Sequence, residues 1–421
     1  MARMPLEGYR VIDMTEVWAG PMAASILGDL GAEVIRLQAA DRAMVRGQGF
    51  AGGAAAAGLR LAGPPDAPRP WDRGPTDHIA NRNKLGISLN VAKPKGKELF
   101  YRLVGLSDAF LIGFSAGTAA RMQIDYQTLV RFKPDLVMLT FAGWGEKGPY
   151  QGYATLGSGP DAWTGHHYLR GYPGLDPTST GPSYHADSVG ALTIAFALMA
   201  ALRHRDRTGE GRFMDLSMAE ILLTHMPRPL IDWAMNNRLA EPAGNVDPET
   251  APNGCYPCKD EDSWAVIVVG TDQHWQGLKK ALGSPDWAAD PRFDTVDGRR
   301  EAREEIDAHL RAWTARRTHV EVMHALQAEG VPAGPVYRTD ETFADPHLAA
   351  REYYRWVLHP VTGQYKRPGP LFGLPKTPVQ FRRHTNLLGE HNKEVFCGLL
   401  GLSEDQYEEL LATRVIANGD S

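Results

Sequence analysis

Tyr9–Gln38, YRVIDMTEVWAGPMAASILGDLGAEVIRLQ, decides the fold class. It begins with a short apolar segment, Tyr9–Met14, and ends with another, Ala32–Leu37, and both are predicted strands. Between them, Pro21–Leu30 is a predicted helix, because proline suits the first helical position and Gly31 suits the position after the last. Strand, helix and strand in this order form a βαβ unit, which predicts an open parallel sheet.

The alternation of strand and helix continues beyond this unit. Three further apolar segments are predicted strands, Gly86–Leu89, Ala109–Ile112 and Pro134–Phe141, and the amphipathic segment Gly96–Gly105 is a predicted helix. Residues 39–76 are rich in glycine, alanine and proline without a hydrophobic period, which is typical of a long surface loop. The sequence therefore predicts an α/β fold with a parallel sheet.

Composition places the chain among soluble globular proteins. It has 421 residues, 43% of them hydrophobic and 23% charged, so two domains are expected. A net charge of -5 gives no electrostatic reason to expect nucleic acid or an anionic membrane as a partner. The longest uncharged apolar run is about a dozen residues, shorter than the roughly 20 that span a bilayer. Three cysteines are too few for a disulfide framework and suit a reducing, cytoplasmic location.

The first strand-to-helix turn invites comparison with a dinucleotide site. It reads VWAGP instead of G-x-G-x-x-G, and the second strand ends in Leu37–Gln38 without an acidic residue for a ribose. The sequence therefore does not support NAD as a cofactor. Two interpretations of the turn remain open, a polar ligand site at a helix N-terminus and a purely structural connection.

Asp187 is the candidate reactive residue. It lies in Ser183–Arg212, SYHADSVGALTIAFALMAALRHRDRTGEGR, just before the uncharged run Ala191–Leu202, which predicts a buried helix. Aspartate is common at helix N-caps, where free N–H groups and the helix dipole favour an anion. A carboxylate nucleophile aimed into a cleft is the second interpretation. Local chemistry leaves both open.

Seven motifs in a fixed order connect the chain to a known family. They are LEGYRVIDMTEVWAGP, GDLGAEVIRLQ, NRNKLGISLN, FSAGTAARM, HADSVGALTIAFALMAALRHRDRTGEGRFMDLSM, EGVPAGPV and LLGEHNKEV. In this order and spacing the chain resembles, nearly from end to end, the class III CoA-transferases, a family that includes formyl-CoA transferase, carnitine CoA-transferase and the α-methylacyl-CoA racemases.

The resemblance implies a ring-like chain. Its large Rossmann-type domain would occupy residues 1–225, a smaller α+β domain with linkers residues 226–335, and a C-terminal segment, 336–421, would return to the large domain. Two chains would interlock as a dimer, expected to be a homodimer, with a heteromer of paralogous subunits as the alternative. A non-catalytic subunit is a further alternative, which the presence of Asp187 argues against.

The resemblance also implies the chemistry. Asp187 falls on the family's aspartate, which attacks an acyl-CoA thioester, carries CoA as an aspartyl thioester and passes it to a free carboxylic acid. Coenzyme A then comes with the acyl-CoA substrate, and neither a metal nor NAD is expected. The family's other CoA and substrate contacts fall on Val17, Ala19, Lys84, Phe114, Thr118, Arg121, Tyr153 and Met218. Ordinary roles remain open for them, surface charge for Lys84 and Arg121 and packing for Tyr153 and Met218.

Two positions depart from the formyl-CoA transferase-like members. Trp18 stands where they carry glutamine, and Ala39 stands where they carry arginine. An indole at position 18 favours an acid that is larger or more apolar than formate or oxalate. Cys255 and Cys258 form a C-x-x-C pair without a second pair, so no metal site is predicted.

The racemase branch is the competing activity. It needs a histidine base in a GHD-like motif roughly 30 residues ahead of Asp187. That region reads GSGPD here, with Pro160 and Asp161 in place of the pair, while the histidines at 166–167 come too late and His185 lies beside the aspartate. Transfer is therefore favoured over racemisation.

Overall fold

The protein is described here from a computed structural model, in which residues 3–40, 61–63, 67–181 and 183–419 are described. Most of the predicted surface loop at 39–76 lies outside these residues.

The chain divides into two compact units. The large unit comprises Met1–His167, Pro182–Asn237 and Tyr353–Ser421, and the small unit comprises Tyr168–Gly181 and Arg238–Glu352. The boundaries expected after residues 225 and 335 therefore lie after residues 237 and 352. Tyr168–Gly181 also belongs to the small unit, an excursion that no local pattern indicates. The C-terminal segment Tyr353–Ser421 belongs to the large unit.

Six strands form the sheet of the large unit. They are β1 (Arg10–Met14), β2 (Glu33–Gln38), β3 (Lys84–Ser88), β4 (Ala109–Ile112), β5 (Val137–Ala142) and β6 (Arg212–Ser217). Their order is β3-β2-β1-β4-β5-β6, and every neighbouring pair is parallel. The predicted α/β fold with a parallel sheet is confirmed.

Ten helices of the first 237 residues connect or flank these strands within the described part of the chain. They are α1 (Ala19–Asp29), α2 (Pro75–Ala80), α3 (Pro94–Gly105), α4 (Thr118–Met122), α5 (Tyr126–Leu129), α6 (Ser158–Trp163), α7 (His166–Leu169), α8 (His185–Thr208), α9 (Met218–Leu223) and α10 (Pro227–Asn236). By length and apolar composition α8 could cross a membrane, a criterion that core helices also meet.

The small unit has its own sheet and core. Its strands β7 (Asn253–Pro257), β8 (Trp264–Val268) and β9 (Ala333–Val336) are antiparallel in the order β7-β8-β9. Its helices are α11 (Asp272–Ala281), α12 (Val296–Glu301), α13 (Arg303–Thr314), α14 (His319–Gln327), α15 (Thr339–Ala344) and α16 (Pro346–Ala350). The fully buried Trp275 packs in this core with Phe293 and Leu310.

The C-terminal segment completes the large unit. It contains the hairpin β10 (Tyr354–His359) and β11 (Gly363–Pro368), a π-helical turn (Glu394–Leu399) and α17 (Glu404–Ala412). Ser403 and Gln406 form the predicted capping box of α17.

The sheet is covered on both faces, which makes a three-layer α/β unit. Successive strand residues point to opposite faces. Val11 therefore joins a core with Leu198 of α8, and Ile12 joins a second core with Phe100 of α3 and Tyr407 of α17. The two helical layers, one on each face of the sheet, fix the ends of the strands and therefore the loops that follow them.

A buried ion pair joins two of the strands to α1. Lys84 at the start of β3 is fully buried, and its Nζ donates to Asp13 Oδ2 of β1 at 2.7 Å. The same ammonium donates to the carbonyl of Pro21 in α1 at 2.7 Å and to Asn81 Oδ1 at 2.8 Å. All three N–H groups of Lys84 are therefore engaged, although burial lowers its pKa to about 8.

Replacement of this lysine tests its structural role. Lys84→Met should lower the free energy of unfolding by about 3–5 kcal/mol, because it leaves Asp13 buried without its cation. The measurement is urea denaturation at pH 7.5. Lys95→Met is the matched control, since Lys95 pairs with Glu98 at 3.0 Å on the surface and should lose less than about 1 kcal/mol. Equal losses in the two variants would contradict the assignment.

Candidate active site

The order of the sheet locates the site. Strand order reverses between β1 and β4, and ligands of open α/β sheets bind beyond the carboxyl ends of the strands at such a point, because the loops there diverge. The turn after β1 leads directly into α1, whose first residue is Ala19. The first turn of α8 contains Asp187.

A cavity of about 350 Å³ opens at this point within the large unit. Its lining includes eight of the residues that the resemblance or its departures single out: Val17, Trp18, Ala19, Phe114, Thr118, Tyr153, Asp187 and Met218. They come from the turn after β1, the loops after β4 and β5, and the starts of α4, α8 and α9. Residues far apart in the sequence thus share one cavity.

Asp187 faces this cavity from a buried position. Only 8% of its surface is exposed. It lies in the first turn of α8 and does not cap the helix, since Tyr184 occupies the N-cap position. The backbone N–H of Ala19, at the start of α1, donates to the Asp187 carboxylate. The carboxylate therefore lies at the N-terminal ends of two helices, where it is held by a contact between helices instead of a local cap.

Burial changes the acidity of this carboxyl group. Desolvation, followed by the negative charge of Asp161, raises the pKa of Asp187 to about 6, and the Ala19 N–H opposes the change. Asp187 is therefore largely ionised at pH 7 and more basic than an ordinary carboxylate. A basic, partly desolvated carboxylate that opens into a cavity is suited to nucleophilic attack.

Asp161 and Gly157 are site residues for which the sequence carries no local signal. Asp161 on α6 is 2% exposed, and its Oδ1 accepts from the N–H of Ala186 in α8 at 3.3 Å. A side chain at Gly157 would overlap the Asp187 carboxylate, so glycine permits the approach of the two segments. Both contacts join segments more than twenty residues apart, and only the fold brings them together.

The turn after β1 has an unusual backbone. Val17 has a φ of 72°, a conformation that is costly for a β-branched residue. Trp18 follows, and its ring lies 5.6 Å from that of Tyr184, the residue that precedes α8. The aromatic pair thus connects the strained turn to the N-cap residue of the helix that carries Asp187. Tyr184 is a further residue that sequence reasoning missed.

Two predicted contacts lie outside the cavity lining. Arg121 is exposed on α4 and donates to Thr118 Oγ1, itself a lining residue, at 2.7 Å. Lys84 is buried under α1 with its N–H groups engaged. These contacts give Lys84 a structural role, and the CoA contact that the resemblance implies for it stays a prediction.

The cysteine pair and the histidines named from the sequence do not line the cavity. Cys255 and Cys258 are free thiols of the small unit whose pKa values are raised, chiefly by burial. His166 and His185 stack on each other with ring centroids 5.0 Å apart, and neither lines the cavity. Within the described residues, no group of three or more His, Cys, Asp or Glu side chains is arranged to hold a metal ion.

Sequence comparisons connect this geometry to known proteins. A family model described as CoA-transferase family III matches residues 6–392. The chain is 33% identical over 418 residues to succinyl-CoA–D-citramalate CoA-transferase of Chloroflexus aurantiacus, covering 98% of both chains. It is 30% identical over 417 residues to the beta subunit of succinyl-CoA–L-malate CoA-transferase from the same organism, again covering 98% of both.

A structural comparison shows the same fold. A CAIB/BAIF family protein from Brucella suis superposes with a TM-score of 0.81 at 24% identity, over 94% of this chain and 100% of that one.

The raised pKa of Asp187 makes a prediction about stability. The native pKa of about 6 exceeds the value near 4 of an unfolded aspartate, so stability is lost as pH rises from about 4 to about 6. Asp187→Asn should therefore raise the free energy of unfolding by roughly 2–3 kcal/mol at pH 8 and by almost nothing below pH 4. Denaturant titrations at the two pH values measure it.

Asp405→Asn is the control for this experiment. Asp405 also lies in the first turn of a helix, α17, but it is exposed, so its replacement should change stability by less than about 0.5 kcal/mol at either pH. The absence of any gain for Asp187→Asn at pH 8 would show that the carboxylate is not destabilised by burial.

Proposed function

The chain belongs to CoA-transferase family III and is an enzyme of that kind, and from this premise we propose that it moves CoA from an acyl-CoA to a free carboxylic acid through a covalent bond to Asp187. The observation that carries the proposal is the buried Asp187 carboxylate, which faces a cavity at the switch point of the sheet.

The proposed reaction proceeds in balanced steps. An Asp187 carboxylate oxygen attacks the thioester carbon, the C–S bond breaks, and CoA leaves as a thiolate while a mixed anhydride forms. The thiolate attacks Cγ of Asp187, the anhydride bond breaks, and the donor acid leaves as a carboxylate. The resulting aspartyl-CoA thioester is attacked by the acceptor carboxylate, and the two steps run in reverse. Each intermediate contains an anhydride or a thioester, so the free energy of the original thioester bond is conserved and ATP is not needed.

Backbone donors at the site support this chemistry. The Ala19 N–H reaches the Asp187 carboxylate at the start of α1, where the first N–H groups of a helix lack intrahelical partners. Such donors stabilise the negative oxygen of each tetrahedral intermediate. Their position is built into the β1–α1 turn, so they need no rearrangement during the reaction.

A second cavity supports the proposed binding of CoA. It measures about 180 Å³, lies beside the carboxyl ends of β1 and β2, and is lined mainly by apolar side chains such as Leu37, Val91 and Met122. Glu16 and Phe114 line both cavities, so the two adjoin. We propose that the nucleotide end of CoA lies near Phe114, Thr118 and Arg121 and that pantetheine runs toward Asp187.

The lining of the first cavity indicates which acceptor acids the enzyme can bind. Trp18, Trp144 and Tyr153 line it, and Trp144 belongs to an aromatic cluster with Tyr150 and Trp163. Its charged lining residues, within the described part of the chain, are Asp187 and Glu16. Apolar walls without a described cation favour an acid that is larger or more apolar than formate or oxalate.

Racemisation is the disfavoured alternative. It needs a second acid/base that faces Asp187 across the substrate. Gly157 occupies the segment that approaches the carboxylate, and the described lining of the cavity contains no histidine. The available side chains fit transfer better than proton exchange.

We also propose that the enzyme works as an interlocked dimer. Helix α10 has no buried residue and exposes Ile231, Trp233 and Met235, while α8 exposes Leu192 and Phe196. Exposed apolar helices of this kind are typical of subunit interfaces. A homodimer is the simplest assembly, and a heteromer is the alternative because one relative is named as a beta subunit. A cytoplasmic location is part of the same proposal.

Covalent labelling tests the proposed function. Wild-type enzyme is mixed with a panel of acyl-CoAs, from acetyl and succinyl to aryl, and examined by intact-protein mass spectrometry. We expect a CoA-sized adduct that hydroxylamine converts to a hydroxamate at Asp187. Since the attacking group must be ionised, the rate of adduct formation should fall about tenfold for each pH unit below about 6.

Asp187→Ala is the control for this labelling. It should form no adduct with any acyl-CoA. Turnover by wild type without an adduct, or an adduct on another residue, would overturn the proposed mechanism. Deuterium uptake at the α-carbon of an acyl-CoA without transfer would favour the racemase.

The indole at position 18 makes a prediction about acid selectivity. Trp18→Gln should lower kcat/KM for an aryl or branched acid by at least about tenfold relative to oxalate, because it removes an apolar wall of the cavity. Trp18→Phe keeps an aromatic ring and should retain most of the preference. An unchanged ratio in Trp18→Gln would show that this side chain does not select the acid. Competition between two acids in one reaction measures the ratio directly.

A further inference from the structure

The helix that carries Asp187 lacks a local cap. Tyr184 at its N-cap position has a φ of 51°, and its side chain makes no capping hydrogen bond. The N–H of Ala186 instead donates to Asp161 Oδ1 at 3.3 Å, and the hydroxyl of Ser183 donates to Asp161 Oδ2 at 3.2 Å. A carboxylate from α6 therefore holds the first turn of α8.

Asp161 also acts on Asp187 through its charge. Both residues are buried: Asp161 is 2% exposed and Asp187 is 8% exposed. Gly157, at the N-cap of α6, lets the backbone of that helix approach the Asp187 carboxylate closely. The negative charge of Asp161 acts on Asp187 in this poorly solvated region, and the repulsion disfavours the ionised state of Asp187.

We propose that Asp161 is a positioning residue of the transfer reaction, which holds the turn bearing Asp187 and by its charge favours the neutral, covalently modified state of that side chain. The inference rests on the proposed function. It adds a residue 26 positions before the proposed nucleophile that does not line the cavity.

The charge balance of the reaction gives the physical reason. When CoA is attached, the Asp187 carboxylate becomes a neutral thioester, and its negative charge leaves with the departing acid. The repulsion from Asp161 is present before the reaction and absent in the aspartyl-CoA intermediate. Asp161 thereby raises both the basicity of the nucleophile and the equilibrium amount of the intermediate. The basicity of Asp187 and the amount of aspartyl-CoA both depend on the charge of Asp161, so a variant without this charge should lower both.

Other titratable groups near the two carboxylates come from each neighbouring element. His166 of α7 has its Nδ1 3.6 Å from Asp161 Oδ1. His185 of α8 stacks on His166, and His225, beyond α9, packs edge-on against His185. Glu16, after β1, lines the cavity with Asp187, and the first turn of α1 has no acidic residue. A variant that removes the charge of Asp161 leaves all of these groups in place.

Asp161→Asn separates charge from shape. Its amide oxygen can still accept from the Ala186 N–H, while the negative charge is lost. We expect the pH midpoint of adduct formation to fall by about half a pH unit to one pH unit. At pH 8, with a fixed ratio of acyl-CoA to acid, the fraction of enzyme that carries CoA should fall about three- to tenfold. Both readouts come from the same mass spectrometric assay.

Asp125→Asn is the matched control. Asp125 caps α5 by accepting from the Thr128 N–H at 3.2 Å, so the substitution is chemically identical but remote. It should leave the midpoint and the adduct fraction at their wild-type values. Melting curves report folding. If Asp161→Asn does not fold, Asp161→Ser, whose hydroxyl also accepts from a helix N–H, takes its place in both readouts.

The outcomes distinguish this role from the proposed function. An adduct on wild type, with a lower midpoint and less adduct in Asp161→Asn, supports the role. An adduct on wild type and unchanged values in a folded Asp161 variant overturns the role and leaves the proposed function intact. No adduct on wild type with any acyl-CoA overturns the proposed function, and the role of Asp161 with it.

Discussion

A buried carboxylate at the N-terminal ends of two helices is the constraint on which the site depends. Asp187 is 8% exposed and has the Ala19 N–H as a donor, yet burial and Asp161 together raise its pKa to about 6. Ionising such a group costs free energy that a folded protein ordinarily avoids. The arrangement is therefore unfavourable for stability and favourable for a nucleophile, as expected where function rather than folding determines a residue.

The buried pair of Lys84 and Asp13 supports the other side of the same site. Lys84 joins β3, β1 and the first turn of α1 through contacts of 2.7 Å to Asp13 and to the carbonyl of Pro21. The N–H of Ala19 belongs to that turn, so the ion pair beneath it helps to fix the donor that reaches Asp187. Lys84, for which the resemblance implies a ligand contact, thus belongs to the buried frame that holds the N–H donor of Asp187.

Local sequence patterns predicted individual helices and strands better than the contacts between them. The βαβ unit, the strand Ala109–Ile112 and the capping box of Ser403 follow from periodicity and turn chemistry, which are encoded by neighbouring residues. The cap of α8 does not, because it comes from Asp161 on another helix. The burial of Lys84 was not predicted either, because a lysine beside an alternating strand is usually exposed to solvent, and only the tertiary fold buries this one. Much of the site was accessible only through the resemblance, which aligned distant segments that the sheet brings to one edge.

Isotope transfer from the acceptor acid tests the covalent role of Asp187. An acid that carries heavy oxygen in both carboxyl positions attacks the Asp187 thioester, and its oxygen bridges the mixed anhydride. When CoA then takes the acyl group, the bridging oxygen stays on Asp187. A covalent role for Asp187 predicts that a single turnover places one heavy oxygen in the proteolytic peptide that contains Asp187, and that further turnovers raise this to two. Accumulation of labelled acyl-CoA without label in that peptide would contradict a covalent role for this carboxylate.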